Sequence, residues 1–600
     1  MGCSGSKSEG ATSRATSAQG DSKQRNKDGN KSVASNPRSP EDNKKSLEGS
    51  SVDEPGYGQK VAPLDPLPPD DPGVPIEKVV CQFDDFKDGE MREVDIDGSK
   101  VLLVREHGEY HAIGARCTHV KAPLVKGVLC NGRVRCPWHG ACFNIRTGDI
   151  EDFPGLDSLQ KYTTVVEEGN VKVKTFDKLL KSKIRVKEMS CFSEMEEDLY
   201  LIIGGGPASV VCAETIRQEG FRGKVVIATK EPHLPYDRTK LSKAPDSTGS
   251  KLALREADFY KVYDIEVLSN KEAVSIDTML NSATFADGDT INYNKLMIAT
   301  GGRPKPLTVP GGDLENICLL RSPEDGNTIV EQSKGKNVVV VGTSFIGLEI
   351  AAYLSKKAKS VQVVGRSNVP FKHTLGDKVG AAMQKMHEER GVKFHFGAEV
   401  QECIGKDGKL SEVILTTNEK LSADVCIVGT GVLPSTVFLQ DSGIEMNSRG
   451  HIIVDKYMRT NKDNVFAGGD IVEFPLFTSG DEPVNIGHYQ MAHAHGRTAG
   501  LSMMEVDMEL RSVPFFWTEQ YGKSLRYSGY NGPGFDDVII DGNLDELHFT
   551  AYYTKGDKVI AVASMGPDPM TGHAAEMFLA GKTIGKEECR DKEWTNRIQD

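Results

Sequence analysis

The spacing of apolar and polar residues changes character along the chain and divides it into successive regions. From about Ile76, short stretches such as Lys100–Val104 alternate between Gly-rich turns, which predicts a small antiparallel β domain. At Asp198 the pattern becomes an apolar strand, a Gly-rich loop and a helix, and the same order repeats at Asn337. Such units predict Rossmann-like α/β domains. From about Val513, strand-like sequence begins a C-terminal α+β segment.

The length of 600 residues exceeds one hydrophobic core, so we expect a multi-domain chain. The predicted order is a disordered tail, an all-β domain, a charged linker, two Rossmann-like domains of which the first is split, and a C-terminal α+β domain. The corresponding predicted boundaries are 1–72, 73–180, 181–197, 198–325 with 450–505, 326–449, and 506–600.

The N-terminal tail is rich in Ser, Lys, Gly, Asn and Pro and has too few large apolar residues to offset its ordering entropy. It begins Met-Gly-Cys-Ser-Gly-Ser, which matches the N-myristoylation pattern at Gly2 and leaves Cys3 available for palmitoylation. Two acyl chains, or one with basic residues, anchor a protein firmly to a membrane. We therefore expect an acylated, membrane-associated tail. The alternative is a low-complexity tail that matches the pattern by chance.

Charge and composition exclude several classes of function. The formal net charge of −13 argues against non-specific nucleic-acid binding, which needs cations to neutralise phosphates. No apolar run reaches the length of a membrane-spanning helix. The 12 cysteines are scattered, which fits a reducing compartment better than a disulfide scaffold.

Two short motifs carry the most specific chemistry. Cys117-Thr-His119 and Cys136-Pro-Trp-His139 are separated by 16 residues, and each contributes one thiol and one imidazole. Two thiolates on one iron and two imidazoles on the other form a Rieske 2Fe–2S cluster. We predict one such cluster per chain, bound by Cys117, His119, Cys136 and His139.

A structural zinc site is the alternative for the same residues, because zinc also accepts two Cys and two His. Zinc fingers, however, place both cysteines before both histidines, which is not the order here. The sequence after Cys136 resembles the strand that follows the cluster in Rieske ferredoxins and ring-hydroxylating dioxygenases. Nearby Cys130 and Cys142 match no ligand position, and we expect ordinary buried thiols there.

The first Gly-rich loop is predicted to bind a dinucleotide. Gly204 and Gly206 take the first two positions of Gly-x-Gly-x-x-Gly, and Ser209 takes the third. The glycines permit a tight turn and close approach of a pyrophosphate to the following helix N-terminus. The loop lies between a predicted strand and a predicted helix, the context that supports the motif.

Further motifs follow in the order found in FAD-dependent ferredoxin reductases. With the N-terminal Rieske motifs, the chain from about residue 75 onward resembles the Rieske-bearing form of the apoptosis-inducing factor family. The motifs that carry this resemblance are Pro-Tyr-Asp-Arg-Thr-Lys-Leu-Ser-Lys at 235–243, Ala-Thr-Gly at 299–301, Gly-Thr-Gly-Val-Leu-Pro at 429–434, Phe-Ala-Gly-Gly-Asp at 466–470, His-Tyr-Gln at 488–490 and Pro-Phe-Phe-Trp at 514–517.

The resemblance implies that the first Rossmann-like domain binds FAD, with Gly204 and Gly206 at its pyrophosphate. It implies that Arg238 and Lys243 lie beside the flavin, that Glu349 pairs with Lys243, and that Asp470 binds the ribityl chain. The acid that would bind the adenosine ribose is displaced by one residue, because Lys230 takes its expected place and Glu231 follows. We assign the ribose to Glu231.

The second Gly-rich loop departs from the pattern of an NAD(P)H site. Gly342 and Gly347 are in place, but Ser344 replaces the middle glycine, where a Cβ would crowd a pyrophosphate. The following strand ends in Gly365-Arg366 and lacks the acid that binds the ribose 2′-hydroxyl of NADH. An Arg suits a 2′-phosphate. Either NADPH is preferred or nicotinamide binding is weakened.

These features predict an oxidoreductase that passes electrons from NAD(P)H through FAD to a Rieske cluster and an unknown acceptor. Its cofactors carry the chemistry, with Lys243 and Glu349 as the candidate catalytic pair. The rival is an apoptosis signalling protein whose cofactors set its conformation. The resemblance implies a mitochondrial location, which acylation would place on a cytosol-facing membrane such as the outer surface, and the alternative location is the cytoplasm. The acceptor, the oligomeric state and the direction of flow between FAD and cluster stay open.

Overall fold

The computed structural model describes residues 72–598. Gly2, Cys3 and the predicted disordered tail lie outside the described residues, apart from the last residue of the tail. Among the described helices, none combines the length and apolar character needed to cross a bilayer.

The first domain consists of β-strands, as the alternating pattern predicted, and ends in one short helix, α1. One six-stranded sheet has the order β1-β10-β9-β4-β3-β2, and a separate four-stranded sheet has the order β5-β6-β7-β8. The elements are β1 Pro75–Gln82, β2 Met91–Ile96, β3 Ser99–Glu106, β4 Glu109–Gly114, β5 Val128–Cys130, β6 Arg133–Arg135, β7 Cys142–Asn144, β8 Ile150–Asp152, β9 Lys161–Glu167, β10 Asn170–Phe176 and α1 Asp177–Lys181.

The second domain opens with the first predicted strand–loop–helix unit. Its strands are β11 Leu199–Ile203, β12 Lys224–Ala228, β13 Ile265–Leu268, β14 Ala273–Asp277, β15 Ser282–Phe285, β16 Thr290–Asn292, β17 Lys295–Ile298 and β18 Gly302–Pro304. Its helices are α2 Pro207–Gln218, α3 Gly249–Leu252 and α4 Ala257–Val262. Buried strands such as β11 are apolar along their whole length because helices cover both faces of a parallel sheet.

The third domain repeats this architecture. Its parallel sheet begins at Ile317–Cys318, before residue 326, where the sequence had placed the boundary. The strands are β19 Ile317–Cys318, β20 Asn337–Val341, β21 Ser360–Gly365, β22 Val392–Phe396, β23 Val400–Lys406, β24 Lys409–Leu415, β25 Lys420–Ser422, β26 Val425–Val428 and β27 Val432–Pro434. The helices are α5 Pro323–Ser333, α6 Phe345–Leu354 and α7 Lys372–Glu388.

The chain then returns to the second domain, whose parallel sheet has the order β13-β12-β11-β17-β29. The returning elements are β28 Ile452–Ile453, β29 Val465–Ala467, β30 Val472–Leu476, β31 Glu482–Val484 and α8 Tyr489–Met503. Helix α8 packs closely on α2, because a Cβ at Gly496 would lie 2.3 Å from the Ala208 carbonyl oxygen. This contact requires glycine.

The last domain is α+β, as predicted. Five antiparallel strands in the order β32-β33-β36-β35-β34 pack against one helix. The elements are β32 Phe515–Gln520, β33 Lys523–Gly529, β34 Asp537–Asn543, β35 His548–Lys555, β36 Lys558–Met565 and α9 Met570–Leu579. The predicted multi-domain fold class is therefore confirmed.

Candidate functional site

Two loops of the all-β domain carry the four predicted cluster ligands. Cys117 lies in the loop after β4, and Cys136 immediately follows β6. The Cys117 N–H donates to the Ala122 carbonyl at 2.9 Å, and the Cys136 N–H donates to the Ala141 carbonyl at 2.7 Å. The two loops therefore close with the same backbone hydrogen bond and bring equivalent ligand pairs together.

The two histidines of these loops lie side by side. The ring centres of His119 and His139 are 4.8 Å apart, and the Nδ1 atom of each ring is buried without a hydrogen-bond partner. Burial lowers the pKa of His119 to about 4 and that of His139 to about 2. Both imidazoles are therefore neutral at pH 7, the form that binds metal. Their unpartnered Nδ1 atoms fit a role as ligands.

The cysteines complete a donor set for a two-iron cluster. Cys117 and Cys136 are both buried. Between residues 72 and 598, no three His, Cys, Asp or Glu side chains converge as a single metal ion would require. A 2Fe–2S cluster needs two protein ligands on each iron, and two buried thiols with two neighbouring neutral imidazoles match that donor set. Cys130 and Cys142 are buried thiols, as expected, and burial raises the pKa of Cys130 to about 12.

A cleft runs beside the first Gly-rich loop. Gly204 has φ +128°, and a Cβ there would lie 2.2 Å from the Ala299 carbonyl oxygen, so only glycine fits. A Cβ at Gly206 would meet nothing within 4 Å, which leaves open space at the start of α2. The Ser209 side chain is buried and its Oγ has no partner. This end of the cleft fits the pyrophosphate of FAD.

Glu231 forms an ion pair with Arg238, whose side chain lines the same cleft. The Arg238 guanidinium donates to Glu231 Oε1 at 2.8 Å, while Glu231 Oε2 is buried without a partner. That free oxygen fits an acceptor for ribose hydroxyls, although the residue lies one position later than the usual acid. The Arg238 side chain lines the cleft and is fixed further by Tyr236.

Lys243 and Glu349 meet in the cleft, as the resemblance implied. The Lys243 ammonium donates to Glu349 Oε2 at 2.9 Å. The buried Glu349 carboxylate also accepts from the Ser242 hydroxyl and, at 2.7 Å, from the Thr518 hydroxyl. The second, third and last domains therefore share one buried carboxylate, which positions the lysine ammonium at the cleft.

Asp470 lines the same cleft near the start of α8. The adjoining Gly469 N–H donates to Nδ1 of buried His495 at 3.1 Å. Burial lowers the pKa of His495 to about 3, so this imidazole stays neutral and accepts the bond. The turn that presents Asp470 is therefore held by a side chain that the sequence had not singled out.

Two glycines at the second Gly-rich loop pack closely against neighbouring atoms, which the sequence had not predicted. A Cβ at Gly342 would lie 2.4 Å from the Gly429 carbonyl oxygen, and Ser344 is exposed. A Cβ at Gly365 would lie 2.3 Å from Cγ2 of Thr343. The Thr343 side chain therefore explains why glycine ends β21.

Arg366 is free to meet a ligand. Its side chain is 81% exposed, and its only ion pair among the described residues is with exposed Glu399 at 3.7 Å. A cation in this position fits the proposed contact with a 2′-phosphate.

Trp517 connects the two cofactor sites. Its side chain lines the cleft beside the first Gly-rich loop, called the flavin cleft from here on. Its ring centre also lies 4.4 Å from that of His139 and 5.7 Å from that of His119. The sequence placed Trp517 in a shared motif without giving it a role. A role between the cofactors could be recognised only once the domains were seen packed together.

Comparisons with known proteins agree with the fold and sites. The Rieske [2Fe-2S] domain family matches residues 77–163, the pyridine nucleotide-disulphide oxidoreductase family 199–496, and the reductase C-terminal family 515–596. Apoptosis-inducing factor 3 of Homo sapiens is 50% identical over 518 residues, which cover 86% of each chain.

Two solved structures resemble the flavoprotein part. The ferredoxin reductase for the CYP199A2 system of Rhodopseudomonas palustris has a TM-score of 0.64 at 27% identity and covers 67% of this chain and 100% of its own. The putidaredoxin reductase–putidaredoxin complex gives 0.62 at 25% identity and covers 68% and 96%.

Fold, donor atoms and similarities define a ferredoxin-reductase-like oxidoreductase that uses FAD and NAD(P)H and carries a Rieske 2Fe–2S cluster. The sequence had predicted this enzyme class and these cofactors. Within the class, the chain belongs to the apoptosis-inducing factor 3 family.

Proposed function

We propose that this protein passes electrons from NAD(P)H through FAD to its own Rieske cluster, and from the cluster to an external acceptor. The observation that carries the proposal is the position of Trp517, which lines the flavin cleft and contacts both histidine ligands. One side chain therefore borders both sites.

The residues around the cleft have defined roles in this proposal. Bound FAD would supply the chemistry that divides the two electrons of a hydride into single-electron transfers. The Gly204–Gly206 loop would hold its pyrophosphate and Glu231 its ribose, while Lys243 would place positive charge beside the flavin. Glu349 would hold that ammonium in place through one carboxylate oxygen, while Thr518 binds the other oxygen.

The proposed acceptor is a separate one-electron carrier. Putidaredoxin reductase forms a complex with putidaredoxin, as its solved structure is described. Here the Rieske domain belongs to the same chain and meets the flavoprotein through Trp517. We propose that this domain takes the part of the first carrier and that the external acceptor receives electrons from it.

Anaerobic rapid mixing with NADPH tests the proposal. We expect flavin bleaching first, followed by loss of the visible absorption of the oxidised cluster and the appearance of a Rieske-type electron paramagnetic resonance signal. A cluster that stays oxidised while the flavin is fully reduced would contradict the proposal. Steady turnover with an artificial one-electron acceptor would separate an electron-transfer enzyme from a signalling protein whose cofactors are structural, because only the former should cycle.

We further propose that acylation at Gly2 and Cys3 holds the protein on a cytosol-facing membrane, with the mitochondrial outer surface as the leading site. The proposal rests on the sequence at the chain start. An apoptotic role is proposed only through the name of its relatives.

A further inference from the structure

A buried ion-pair cluster joins the Rieske domain to the last domain. Glu576 lies on α9, and its carboxylate accepts from Arg135 Nε and from Arg133 Nη2, both at 2.6 Å. The Arg135 and Glu576 side chains are each only 1% exposed. Strand β6, which carries both arginines, ends one residue before the ligand Cys136. The contact therefore holds the base of a cluster loop.

The same cluster extends to the FAD domain. Arg135 Nη1 donates to the Gly140 carbonyl at 2.7 Å and to Asp152 Oδ2 at 3.1 Å. The other oxygen of Asp152 accepts from Gln490 at 3.0 Å and from Ser512 at 2.9 Å. Gly140 directly follows the ligand His139. One connected set of hydrogen bonds therefore links the loop of two cluster ligands to the rest of the protein.

The energetics of this contact oppose domain release. Removing one partner from a buried ion pair is strongly destabilising, because an unpaired charge is left in a low-dielectric interior. Glu576 compensates two arginines at once, and the arginines hold its pKa below the ordinary value against desolvation. A domain that swings between partners would have to hydrate these groups at each release. A carrier that visits its reductase briefly would not be expected to build such a contact.

We propose that Glu576 is a positioning residue, a latch that keeps the Rieske domain permanently seated with His119 and His139 against Trp517. Electron transfer to the cluster then needs no domain movement. The kinetic test of this inference rests on the proposed function. The fixed position of the Rieske domain is measured independently, by hydrogen exchange.

The wild-type holoprotein provides the first test. If the domain is fixed, the rate of cluster reduction after flavin reduction stays constant as glycerol raises solvent viscosity and as potassium chloride raises ionic strength. A domain that must diffuse to its partner would slow in proportion to viscosity. A viscosity-dependent rate in wild type would overturn the latch.

The variant Glu576→Gln provides the second test, with Asp545→Asn as the matched control. Asp545 also forms an interdomain ion pair, with Lys385 at 2.7 Å, but its side chain is exposed. We expect Glu576→Gln to raise amide hydrogen exchange in β5 and β6 about tenfold or more, equivalent to about 1.4 kcal/mol of local opening. The control should leave this exchange unchanged.

The kinetic readout separates a latch from a merely local role. In Glu576→Gln, flavin reduction by NADPH should keep its wild-type rate, and the cluster should keep its spectrum. Cluster reduction should slow and become viscosity-dependent. Slower cluster reduction without viscosity dependence, or unchanged exchange in β5 and β6, would overturn the proposal.

If Glu576→Gln does not fold, the variant Arg133→Gln tests the same contact. It removes one of the two bonds to Glu576 and leaves the Arg135 contact, so a smaller change in the same direction is expected. Should exchange rise in either variant while the wild-type cluster never receives electrons, the latch would stand and the proposed electron path would fail.

Discussion

The indole ring of Trp517 lies 4.4 Å, centre to centre, from the imidazole of His139 and lines the flavin cleft with the same side chain. No other aromatic ring of the described residues both lines that cleft and forms a ring contact with a cluster histidine. A substitution of Trp517 is therefore the most direct test of electron transfer between the two cofactor sites.

Trp517→Leu should slow cluster reduction and leave flavin reduction by NADPH unchanged. Removing the ring opens a gap in the contact path, and a loss on the order of tenfold corresponds to about 1.4 kcal/mol in the activation barrier. Rapid mixing monitored at flavin and cluster wavelengths separates the two steps. Trp517→Phe keeps an aromatic ring and should lose less. Equal cluster-reduction rates in wild type and Trp517→Leu would show that electrons take another route.

Cys136→Ser should remove the cluster and leave FAD bound, because the two sites are built by different loops. Iron and acid-labile sulfide should each approach two per chain in wild type and fall to near zero in the variant. The flavin absorption should persist. Cys81→Ser is the matched control, since Cys81 is a thiol of the same domain that is not a predicted ligand. Stoichiometric zinc without labile sulfide would contradict the assignment.

Arg366→Ala should weaken NADPH binding and leave NADH binding nearly unchanged. Charge-assisted hydrogen bonds to a phosphate contribute about 1.5–3 kcal/mol, which corresponds to about tenfold to a hundredfold in affinity. Titration of the oxidised protein with 2′,5′-ADP and with 5′-AMP measures this difference without turnover. Equal loss for both ligands would indicate that Arg366 does not contact the 2′-phosphate.

Conversion to NADH preference requires more than an added acid. A side chain at Gly365 alone would place its Cβ 2.3 Å from Thr343 Cγ2. We therefore expect Gly365→Glu to be poorly folded and Thr343→Gly/Gly365→Glu/Arg366→Ala to bind NADH better than NADPH. Thermal unfolding of the two variants checks the first expectation, and competitive titration checks the second.

His387 should contribute to acid sensitivity. It is buried between Gln520 and Tyr521, and burial lowers its pKa from 6.5 to about 4. The unfolded chain therefore binds a proton at higher pH than the folded protein does. The stabilising contribution is fully present above pH 6.5 and is lost as pH falls towards 4, by about 2 kcal/mol between pH 7 and 5.

The variant His387→Gln isolates this effect. Its midpoint of thermal unfolding should fall less between pH 7 and pH 5 than that of wild type, although its stability at pH 7 is lower. His548→Gln is the control, because that side chain is exposed. An identical pH dependence in wild type and His387→Gln would exclude His387 as a source of the acid sensitivity.

Gly2→Ala should abolish incorporation of a myristate analogue and shift the protein from the membrane fraction to the soluble fraction. Cys3→Ser should keep the myristoyl group but bind membranes more weakly, because a single myristoyl chain anchors only marginally. Metabolic labelling with cell fractionation measures both. Equal labelling of wild type and Gly2→Ala would refute acylation at this residue.

The sequence predicted those features that depend on local patterns. Apolar strands flanked by Gly-rich loops gave the two Rossmann-like domains, and the spacing of Cys117 to His139 indicated the cluster. Contacts between domains were not predictable, because nothing near Trp517 or Glu576 in sequence shows what packs on them. Gly365 had been interpreted as a missing acid, whereas its neighbour Thr343 supplies a steric reason for glycine. Ser344 in the second loop is exposed, and the crowding of a pyrophosphate by its side chain stays a prediction.

Because the Rieske domain and the flavoprotein are parts of one chain, the rate of electron transfer between them depends differently on protein concentration. A reductase and a separate carrier meet at a rate proportional to both concentrations, and dilution below their dissociation constant leaves them apart. In this chain the two groups are held together at an effective concentration that dilution cannot lower. Electron transfer from the flavin to the cluster should therefore follow first-order kinetics, even in a cell that holds only a few copies of the protein. Scarcity should limit only the later encounter with the external acceptor.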